Sequence, residues 1–406
     1  KDNCYIILLN IGRYYHKIIC KNIWQISTVI DIICFQLFYV KSIKVGIIMG
    51  KIYKDGYDFF FWNYEGQTKM KHEVLEEYVD KWVKIVGCYH KLNYFDCFGG
   101  CGAYIENDNI YYGSPIRVAE AVQKNQENLN RKVNIVIIEK EEENIENLKK
   151  VFEHNKIAIK PYFIQGDFDE KINKILDSTN GNLAPTFFFI DPFGFKINYE
   201  TLKRIMFVPK SEIFLNFMFT RINEFLSAEK IEKTLDKLFG CSDWRVIKEQ
   251  SNSREQDIVT LYRRQLKKFS KFVYYYRMSF PNRDRTYYYL FHLTNHYKGC
   301  AIMKAAFAKF NYGKVEYMGP KHGQMSLFEQ QNIKYYEIKQ YLLGKYHNTS
   351  IRFCDIIEEN IDEVPYLESD IRNALKELRE ESNIEVKPIS SKTRKGIQDK
   401  DLIIFS

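Results

Sequence analysis

The sequence has no framework of paired cysteines. Its nine cysteines include no C-x-x-C pair. Cys97 and Cys101 are four residues apart, but no second pair and no nearby His completes a metal site. This usage is typical of a reducing cytosol and argues against a disulfide scaffold or a zinc module. We therefore expect a cytoplasmic protein that holds no structural metal.

The sequence also lacks an uninterrupted apolar run long enough for a membrane span. The most apolar stretch, residues 23–40, contains Gln25, Asp31 and Gln36, and a charge near the centre of a span is costly in lipid. No small-residue cleavage site follows it. We expect neither a transmembrane helix nor a secretory signal.

Residues 1–48 differ from the rest of the chain in composition. They hold 13 Ile but no Ala, Glu or Pro. Half of the net charge of +8 falls there, so the overall charge is weak evidence for nucleic-acid binding. The first methionine is Met49. Our hypothesis is that the native protein starts at Met49 and that residues 1–48 are an extension from upstream translation.

From Thr68 onwards, helix and strand patterns alternate. We predict an amphipathic helix that starts with Thr68 as its N-cap. Strand patterns and helix patterns then follow in turn, which is typical of a parallel sheet covered on both faces. The predicted strands are 93–98, 133–138, 161–165, 186–190 and 212–217, and the predicted helices are 115–129, 142–154, 168–177, 199–206 and 222–239.

Two further strands, 272–278 and 287–293, predict an antiparallel hairpin at the edge of that sheet. Five parallel strands with a terminal hairpin form the layout of the class I methyltransferase-like (Rossmann-type) doubly wound fold. We assign residues 49–318 to this domain and the polar stretch 319–332 to a linker.

The remaining residues, 333–406, predict a winged-helix-like domain. Helix patterns cover 333–345, 350–359 and 367–381, and short strands cover 384–388 and 402–405. The basic residues Lys392, Arg394 and Lys395 lie between the two strands. Helix 367–381 carries five acidic and three basic residues, which suits a DNA groove poorly. We expect this domain to bind protein, or to touch DNA only through its basic wing.

The most informative motif follows the first strand of the sheet. Asp96 ends the strand, and Phe98, Gly99, Gly100 and Gly102 follow it. Glycines let the backbone approach a ligand closely and adopt positive φ, and such a loop after a parallel strand binds a nucleotide. The pattern D-x-F-x-G-x-G favours S-adenosylmethionine over a dinucleotide. Taken alone, it also fits a tight turn without a ligand.

Acidic residues end the following strands as well. Glu139 can accept the ribose hydroxyls, Asp167 after Gly166 can accept from the adenine amino group, and Asp191 begins a D-P-F-G motif beside them. Each residue has a plain alternative: Glu139 as a solvated strand end, Asp167 as a helix N-cap and Asp191-Pro192 as a turn. Their order on successive strands favours a cofactor site. Glu139 lies 43 residues after Asp96 because of an insertion at 105–113, which delays the first helix.

Together these motifs resemble the three-Cys-motif partner protein family over residues 60–330. The resemblance implies a class I S-adenosylmethionine-dependent methyltransferase-like protein that works with a three-cysteine-motif protein similar to radical S-adenosylmethionine enzymes. The matching segments are Lys71-His72 with Leu75 and Tyr78, Asp96–Gly102, Gly113-Ser114-Pro115, Glu139, Ile190–Gly194, Leu215-Asn216-Phe217, Thr294-Asn295-His296 and Ser326-Leu327-Phe328.

Asp191 and Phe193 are the predicted catalytic residues. The D-P-F-G segment resembles the [DN]-P-P-[FY] motif of amino-group methyltransferases, in which the carboxylate orients an amine and the aromatic residue stacks on the substrate base. Here Phe193 replaces the second proline and Gly194 replaces the aromatic residue, so N-methylation of a base stays open. We expect methyl transfer to DNA, RNA or a substrate delivered by the partner.

Two other functions stay open. The chain could be a non-catalytic S-adenosylmethionine-binding accessory subunit, or a DNA-binding regulator with a degenerate methyltransferase core. Gln324, Leu327 and Phe328 also resemble a sliding-clamp-binding pentapeptide, with packing against the domain edge as the alternative.

Two smaller patterns have structural interpretations that we prefer. The basic stripe on helix 257–272 could contact phosphates, but we favour a solvated face. His292 and His296 could form a metal pair, but we favour core or loop histidines. The stripe consists of Arg263, Arg264, Lys267, Lys268 and Lys271.

Overall fold

The computed structural model describes residues 50–64, 66–126, 132–248, 254–279, 285–310, 327–389 and 396–406. Tyr53–Ser406 form one compact unit. The predicted N-terminal extension, the wing residues Lys392, Arg394 and Lys395, and Gln324 of the clamp-like motif lie outside the described residues, as do the side chains of Leu327 and Phe328. The predicted domain boundaries stay predictions.

Strands and helices alternate from residue 133 to residue 217, as the hydrophobic periodicity predicts. In order they are β1 (Trp62–Asn63), α1 (Gly66–Val86), β2 (Leu92–Asp96), β3 (Ala103–Glu106), β4 (Asn109–Tyr112), α2 (Ser114–Gln126), β5 (Val133–Glu139), α3 (Glu142–His154), β6 (Tyr162–Gln165), α4 (Phe168–Ser178), β7 (Thr186–Ile190), α5 (Tyr199–Met206), β8 (Ser211–Phe217), α6 (Phe219–Phe225), α7 (Glu232–Phe239), α8 (Trp244–Lys248), α9 (Arg254–Leu266), β9 (Phe272–Ser279), β10 (Thr286–Thr294), α10 (Tyr297–Phe310), α11 (Leu327–Tyr346), β11 (Ser350–Arg352), α12 (Phe353–Asn360), α13 (Glu368–Glu380), β12 (Ile384–Lys387) and β13 (Leu402–Phe405).

A seven-stranded sheet with the order β6-β5-β2-β7-β8-β10-β9 forms the centre of the fold. The first five strands are parallel, and β10 pairs antiparallel with both β8 and β9. This confirms the predicted methyltransferase-like α/β fold with a mainly parallel sheet and an antiparallel edge hairpin. Helices cover both faces of the sheet. Neighbouring side chains on β7 point to opposite faces and pack against different helices. Phe187 packs on Tyr78 and Trp82 of α1, whereas Phe188 joins the core with Leu202 of α5.

Three predicted elements differ in detail. Helix α1 begins at Gly66, before Thr68, so Thr68 is not its N-cap. The predicted helix 222–239 is divided into α6, a 3-10 turn at Glu229–Ile231 and α7. The insertion 105–113 folds as the hairpin β3–β4, whose turn residues Asn107 and Asp108 have positive φ. Asn and Asp tolerate that conformation, so a pattern that predicts a loop also fits a hairpin.

The C-terminal module, residues 327–389 and 396–406, contains three helices and a three-stranded antiparallel sheet with the order β11-β13-β12. The prediction of a helix over 350–359 is wrong at its start, since Ser350–Arg352 form β11. Ile351 and Arg352 pair with β13 before the helix begins. The assignment to the winged-helix class stays a prediction.

A basic stripe of the methyltransferase-like domain holds this module in place. Asp362 of the module is buried, and its carboxylate accepts hydrogen bonds from Lys267 Nζ at 2.8 Å and from the backbone N–H of Val273 at 2.9 Å. Arg263 donates to the Asp362 carbonyl at 2.9 Å and to Glu363 at 2.7 Å. Lys271 pairs with Glu358. The preferred prediction of a solvated stripe is therefore wrong for Arg263 and Lys267, whereas Lys271 is 56% exposed. The pattern along one helix cannot reveal partners that lie 95 to 99 residues away.

Lys304 of α10 is fully buried at the same interface. Its ammonium donates to the carbonyls of Ile361, Val364 and Tyr366 at 2.9, 2.6 and 2.7 Å. These carbonyls follow the end of α12, where backbone acceptors lack helical partners. The side chain thus satisfies three buried acceptors in the loop that joins α12 to α13.

None of the helices in the described ranges is long and apolar enough to cross a membrane.

We expect Lys304→Met to destabilise the protein by about 3 kcal/mol, because three buried carbonyls would lose their donor. Urea denaturation followed by circular dichroism measures this change. Lys309→Met is the matched control, because Lys309 lies on α10 with Lys304 but is exposed and pairs with Glu77 of α1. It should leave the stability close to that of the wild type, because an exposed ion pair contributes little. Equal midpoints for the two variants would contradict the role given to Lys304.

Candidate functional site

The predicted strand-end residues lie at the carboxyl edge of the parallel sheet. Asp96 ends β2, Glu139 ends β5, and Asp191 directly follows β7. In the sheet register, Asp96 is level with Ile137 and Phe189 on the two flanking strands. The three carboxylates are therefore on neighbouring strands, where open α/β sheets bind ligands.

The glycine loop packs tightly against α3 and β5. Gly100 and Gly102 have φ values of +62° and +82°. A Cβ on Gly102 would lie 2.5 Å from Leu148 Cδ2, and one on Gly99 would lie 2.5 Å from Ile137 Cγ2. The fold itself therefore requires glycine here. Phe98 is partly buried, and its ring centroid lies 5.5 Å from that of Phe168 at the start of α4.

The carboxyl group of Asp96 is fully buried. Its Oδ2 accepts a hydrogen bond from Tyr94 at 3.1 Å, but its Oδ1 receives no aligned hydrogen bond from the described residues. Burial raises the pKa of Asp96 to about 7, and the charge of Asp191 adds to the rise, while hydrogen bonding to Ser114 and Tyr94 opposes it. A buried carboxylate oxygen that receives no aligned hydrogen bond is costly, so this oxygen fits a ligand that brings a cation or an N–H group.

Glu139 connects the glycine loop to the start of α3. Its Oε2 accepts from the Gly100 N–H at 2.8 Å. Its Oε1 accepts from the Glu141 N–H at 2.9 Å and from Asn144 Nδ2 at 3.2 Å. The carboxylate thus holds the loop in shape, while its predicted contact with ribose stays a prediction.

Asp167 caps helix α4. Its side chain is exposed, and its Oδ1 accepts from the backbone N–H groups of Asp169 and Glu170 at 3.0 and 3.4 Å. This is the plain alternative that the sequence left open for it. Asp167 follows the edge strand β6, and within the described ranges no hydrogen bond joins it to Asp96, Glu139 or Asp191. Its contact with adenine stays a prediction.

Asp191 lies between a cation and an amide. Lys71 of α1 donates to its Oδ2, and Asn216 of β8 donates to its Oδ1 at 2.7 Å. Lys71 and Asn216 are both buried, at 5% and 4% exposure. We call Lys71, Asp191 and Asn216 the acceptor cluster. Sequence reasoning did not select Lys71 or Asn216 as site residues, although both fall in segments that carry the family resemblance.

Phe193 is 71% exposed, which is unusual for a large apolar ring beside buried polar groups. Its closest described aromatic partner is Trp62, with ring centroids 5.9 Å apart and planes at 71°. Trp62 also lies over the glycine loop, since its ring atoms would be 3.4 Å from a Cβ on Gly100. Trp62 therefore connects the predicted cofactor loop with the predicted acceptor side.

Asn147 of α3 binds the backbone two residues before Trp62. We call residues 57–64 the strap. Asn147 Oδ1 accepts from the Phe60 N–H of the strap at 2.8 Å, and its Nδ2 donates to the carbonyls of Phe60 and Cys101 at 2.9 and 2.8 Å. One buried amide thus ties the strap to the glycine loop. In the sequence, this contact is indicated only by Asn147 itself, a polar residue on the buried face of α3.

The histidine pair has structural partners. His292 is fully buried, and its Nε2 lies 3.1 Å from Glu212 Oε2, which also accepts from the Tyr78 hydroxyl at 2.5 Å. His296 Nδ1 accepts from the Lys298 N–H at 3.2 Å. Within the described part of the chain, no group of three or more potential ligands could hold a metal ion.

No protein-family model matches this chain, and no curated protein matches it. Among solved structures, it is similar to a DUF519 protein from Legionella pneumophila, at 13% identity and TM-score 0.37, over 63% of this chain and 93% of that one. It is also similar to an S-adenosylmethionine-dependent methyltransferase from Agrobacterium tumefaciens, at 11% identity and TM-score 0.36, over 61% and 70%.

A third similar structure is an O-methyltransferase from Bacillus cereus in complex with S-adenosylhomocysteine. Its identity is 12% and its TM-score 0.32, over 54% of this chain and 80% of that one. Because these TM-scores are below 0.5, we draw no conclusion about activity from the similarity.

Proposed function

We propose that this chain is an S-adenosylmethionine-dependent methyltransferase. The observation that carries the proposal is the buried Asp96 carboxyl, whose Oδ1 has no aligned donor among the described residues, beside a loop of three glycines. S-adenosylmethionine carries an ammonium group and a sulfonium, so its methionine end supplies the positive charge that this carboxylate lacks. The residues present therefore fit the cofactor.

The other strand ends supply the remaining contacts in this proposal. Glu139 would receive a ribose hydroxyl on Oε2, since that oxygen has two lone pairs and accepts one hydrogen bond, whereas Oε1 already accepts two. Phe98 and Asp167 would lie on the adenine side. When bound, the cofactor supplies a methyl group on a good leaving group. The chain's own residues then mainly position the nucleophile, which is the task of the acceptor cluster and Phe193.

A second candidate is a non-catalytic S-adenosylmethionine-binding subunit of a three-cysteine-motif protein. The observation that favours it is that both oxygens of Asp191 already accept hydrogen bonds from Lys71 and Asn216. A carboxylate so engaged has less capacity to orient an amine from a substrate. In this candidate, the C-terminal module would be winged-helix-like and would contact the partner.

We expect Asp96→Asn to weaken the binding of S-adenosylmethionine on the order of tenfold or more, because a charged hydrogen bond to the ligand would be lost. Isothermal titration calorimetry measures the affinity. In the wild type, the affinity should rise between about pH 5.5 and 7.5, because Asp96 ionises near pH 7 and only the ionised form attracts the cationic ligand.

In Asp96→Asn this rise should disappear. Asp355→Asn in the C-terminal module is the matched control, because Asp355 pairs with Arg352 away from the site. It should keep the wild-type affinity and the wild-type pH dependence. Absence of binding to the wild type at every pH would refute the proposed function.

Ionisation of Asp96 should destabilise the protein when no ligand is bound. The pKa of Asp96 is about 7 in the folded state, against 3.8 for the free side chain. The folded state therefore keeps a proton between about pH 4 and 7 that the unfolded state releases, so this group contributes a growing penalty as the pH rises through that window. At pH 8, Asp96→Asn should be more stable than the wild type, on the order of 1 to a few kcal/mol. Thermal unfolding without ligand tests this, and a lower Tm for the variant would contradict it.

If the chain transfers methyl groups, Asp191→Ala should reduce transfer on the order of 100-fold or more while S-adenosylmethionine still binds. Tritiated methyl incorporation into DNA, RNA and protein fractions, with the three-cysteine-motif protein present, measures this. Asp191→Asn retains the side-chain volume and controls for misfolding. Unchanged turnover in both variants would show that Asp191 is not needed. Cofactor binding without transfer in the wild type would favour the accessory-subunit candidate.

A further inference from the structure

The amino edge of the parallel sheet, opposite the site at its carboxyl edge, is basic. In their described residues, the loops that lead into the five parallel strands contain lysines and one histidine but neither Asp nor Glu. These residues are 87–91, 132, 155–161, 179–185 and 207–210. The carboxyl edge shows the reverse, because four acids lie at or just after its strand ends: Asp96, Glu139, Asp167 and Asp191. The strand ends at the two edges of this sheet therefore carry opposite types of charged residue.

Four of the lysines form a row across the sheet. Lys91, Lys132 and Lys210 directly precede β2, β5 and β8, and Lys160 precedes β6 by two residues. The register of β2 with β5 places Lys91 beside Lys132. We call Lys91, Lys132, Lys160 and Lys210 the basic row. Because neighbouring strands are about 4.8 Å apart, the row extends over about 19 Å from β6 to β8.

The basic row has no counter-ion among the described residues. All four lysines are exposed, and no described carboxylate forms an ion pair with any of them. Lysines on α3 and α4 instead pair with glutamates of their own helices. Helix ends attract cations only within the last turn, whereas Lys91 and Lys132 lie five and six residues beyond the ends of α1 and α2. Neither ion pairing nor the helix ends therefore explain the row, and an anionic ligand does.

Two exposed aromatic rings belong to the same loops as the row. Tyr89 is 71% exposed and Phe207 is 69% exposed. Their loops touch, because Lys210 Nζ lies 2.7 Å from His90 Nε2. Aromatic rings beside ammonium groups suit single-stranded nucleic acid, whose phosphates contact the cations while its bases stack on the rings. A duplex does not fit this combination, because its bases are already stacked and paired inside the helix.

We propose that the amino edge binds a single strand of nucleic acid, with the basic row on its phosphates and with Tyr89 and Phe207 as stacking surfaces for its bases. A stacked strand has one phosphate per about 3.4 Å, so a row of about 19 Å spans about five phosphates. The surface is separate from the carboxyl edge. It would anchor nucleic acid without placing a base at the Asp191 side of the sheet, so the inference does not depend on the proposed function.

The test uses the full chain and fluorescein-labelled oligonucleotides of about 12 nucleotides. Fluorescence anisotropy between about 50 and 200 mM salt measures the affinity. The probes are single-stranded DNA, single-stranded RNA of the same sequence, the DNA duplex, and a strand without bases at its central positions. We expect at least one intact single strand to bind on the order of tenfold more tightly than the duplex and the abasic strand. The DNA and RNA strands distinguish the two sources of the ligand.

Lys132→Gln combined with Lys210→Gln should weaken single-strand binding on the order of tenfold. It should also make the plot of log affinity against log salt less steep by about 1.4, because each phosphate contact contributes about 0.7. Lys149→Gln combined with Lys174→Gln is the matched control, since it removes the same charge from α3 and α4, where both lysines pair with glutamates. The control should keep the wild-type affinity and slope. Equal losses in the two double variants would overturn the assignment to the amino edge.

Tyr89→Leu should weaken single-strand binding on the order of tenfold, because the stacking surface is lost while an apolar side chain remains. Tyr89→Phe retains the ring and should bind like the wild type. Both substitutions are at an exposed position, so both variants should fold. Wild-type affinity in Tyr89→Leu would contradict stacking on this ring.

Two other polyanions test the alternative partners. Binding to phosphatidylserine vesicles or to polyglutamate, without binding to either single strand, would overturn the inference in favour of a membrane surface or an acidic protein. Equal affinity for the intact and the abasic strand would overturn it as well. Each of these results leaves the proposed function standing, because that function is tested separately by calorimetry with S-adenosylmethionine.

Discussion

The carboxyl edge of the sheet depends on two acidic side chains on neighbouring strands, Asp96, which is fully buried, and Asp191, whose side chain is 19% exposed. Burial raises the pKa of Asp96, and the neighbouring charge of Asp191 adds to the rise. Among the described residues, Asp191 pairs with a cation, the ammonium of Lys71, and Asp96 does not. In the proposed function, a ligand would bring the missing positive charge to the glycine loop.

The difference in charge pairing between Asp96 and Asp191 also distinguishes the two ends of the site. Within the described ranges, no cation pairs with Asp96 at the glycine loop, where β2 ends, whereas Lys71 already pairs with Asp191 at the acceptor cluster, where β7 and β8 end. In the proposed function, a cationic cofactor would therefore be attracted to the glycine loop. The strap extends this arrangement, because Asn147 ties it to the loop and leaves Trp62 between the two halves. In the proposed function, this sheet edge would hold the cofactor at the glycine loop and the methyl acceptor at the acceptor cluster.

The sequence predicts the parts of this arrangement that follow from local order. Alternating strand and helix patterns are enough to place Asp96, Glu139 and Asp191 at one edge, because the carboxyl ends of parallel strands coincide. The partners of these residues come from other segments: Lys71 lies 120 residues before Asp191, and Asn147 lies 87 residues after Phe60. No spacing rule covers such distances. Asp167 shows the opposite case, since a local cap fully accounts for its hydrogen bonds.

The C-terminal module follows the same physical rule as the site. Arg263 and Lys267 would be an ordinary solvated face if α9 were alone, but the buried carboxylate of Asp362 needs both of them. Lys304 likewise has no reason to be buried until the carbonyls after α12 are considered. In each case a buried charge or acceptor on one segment explains the position of a charged side chain on another segment. Whether a charged residue lies on a solvated surface or at a buried interface therefore depends on its partner. That partner is set by the tertiary structure and not by the local sequence pattern.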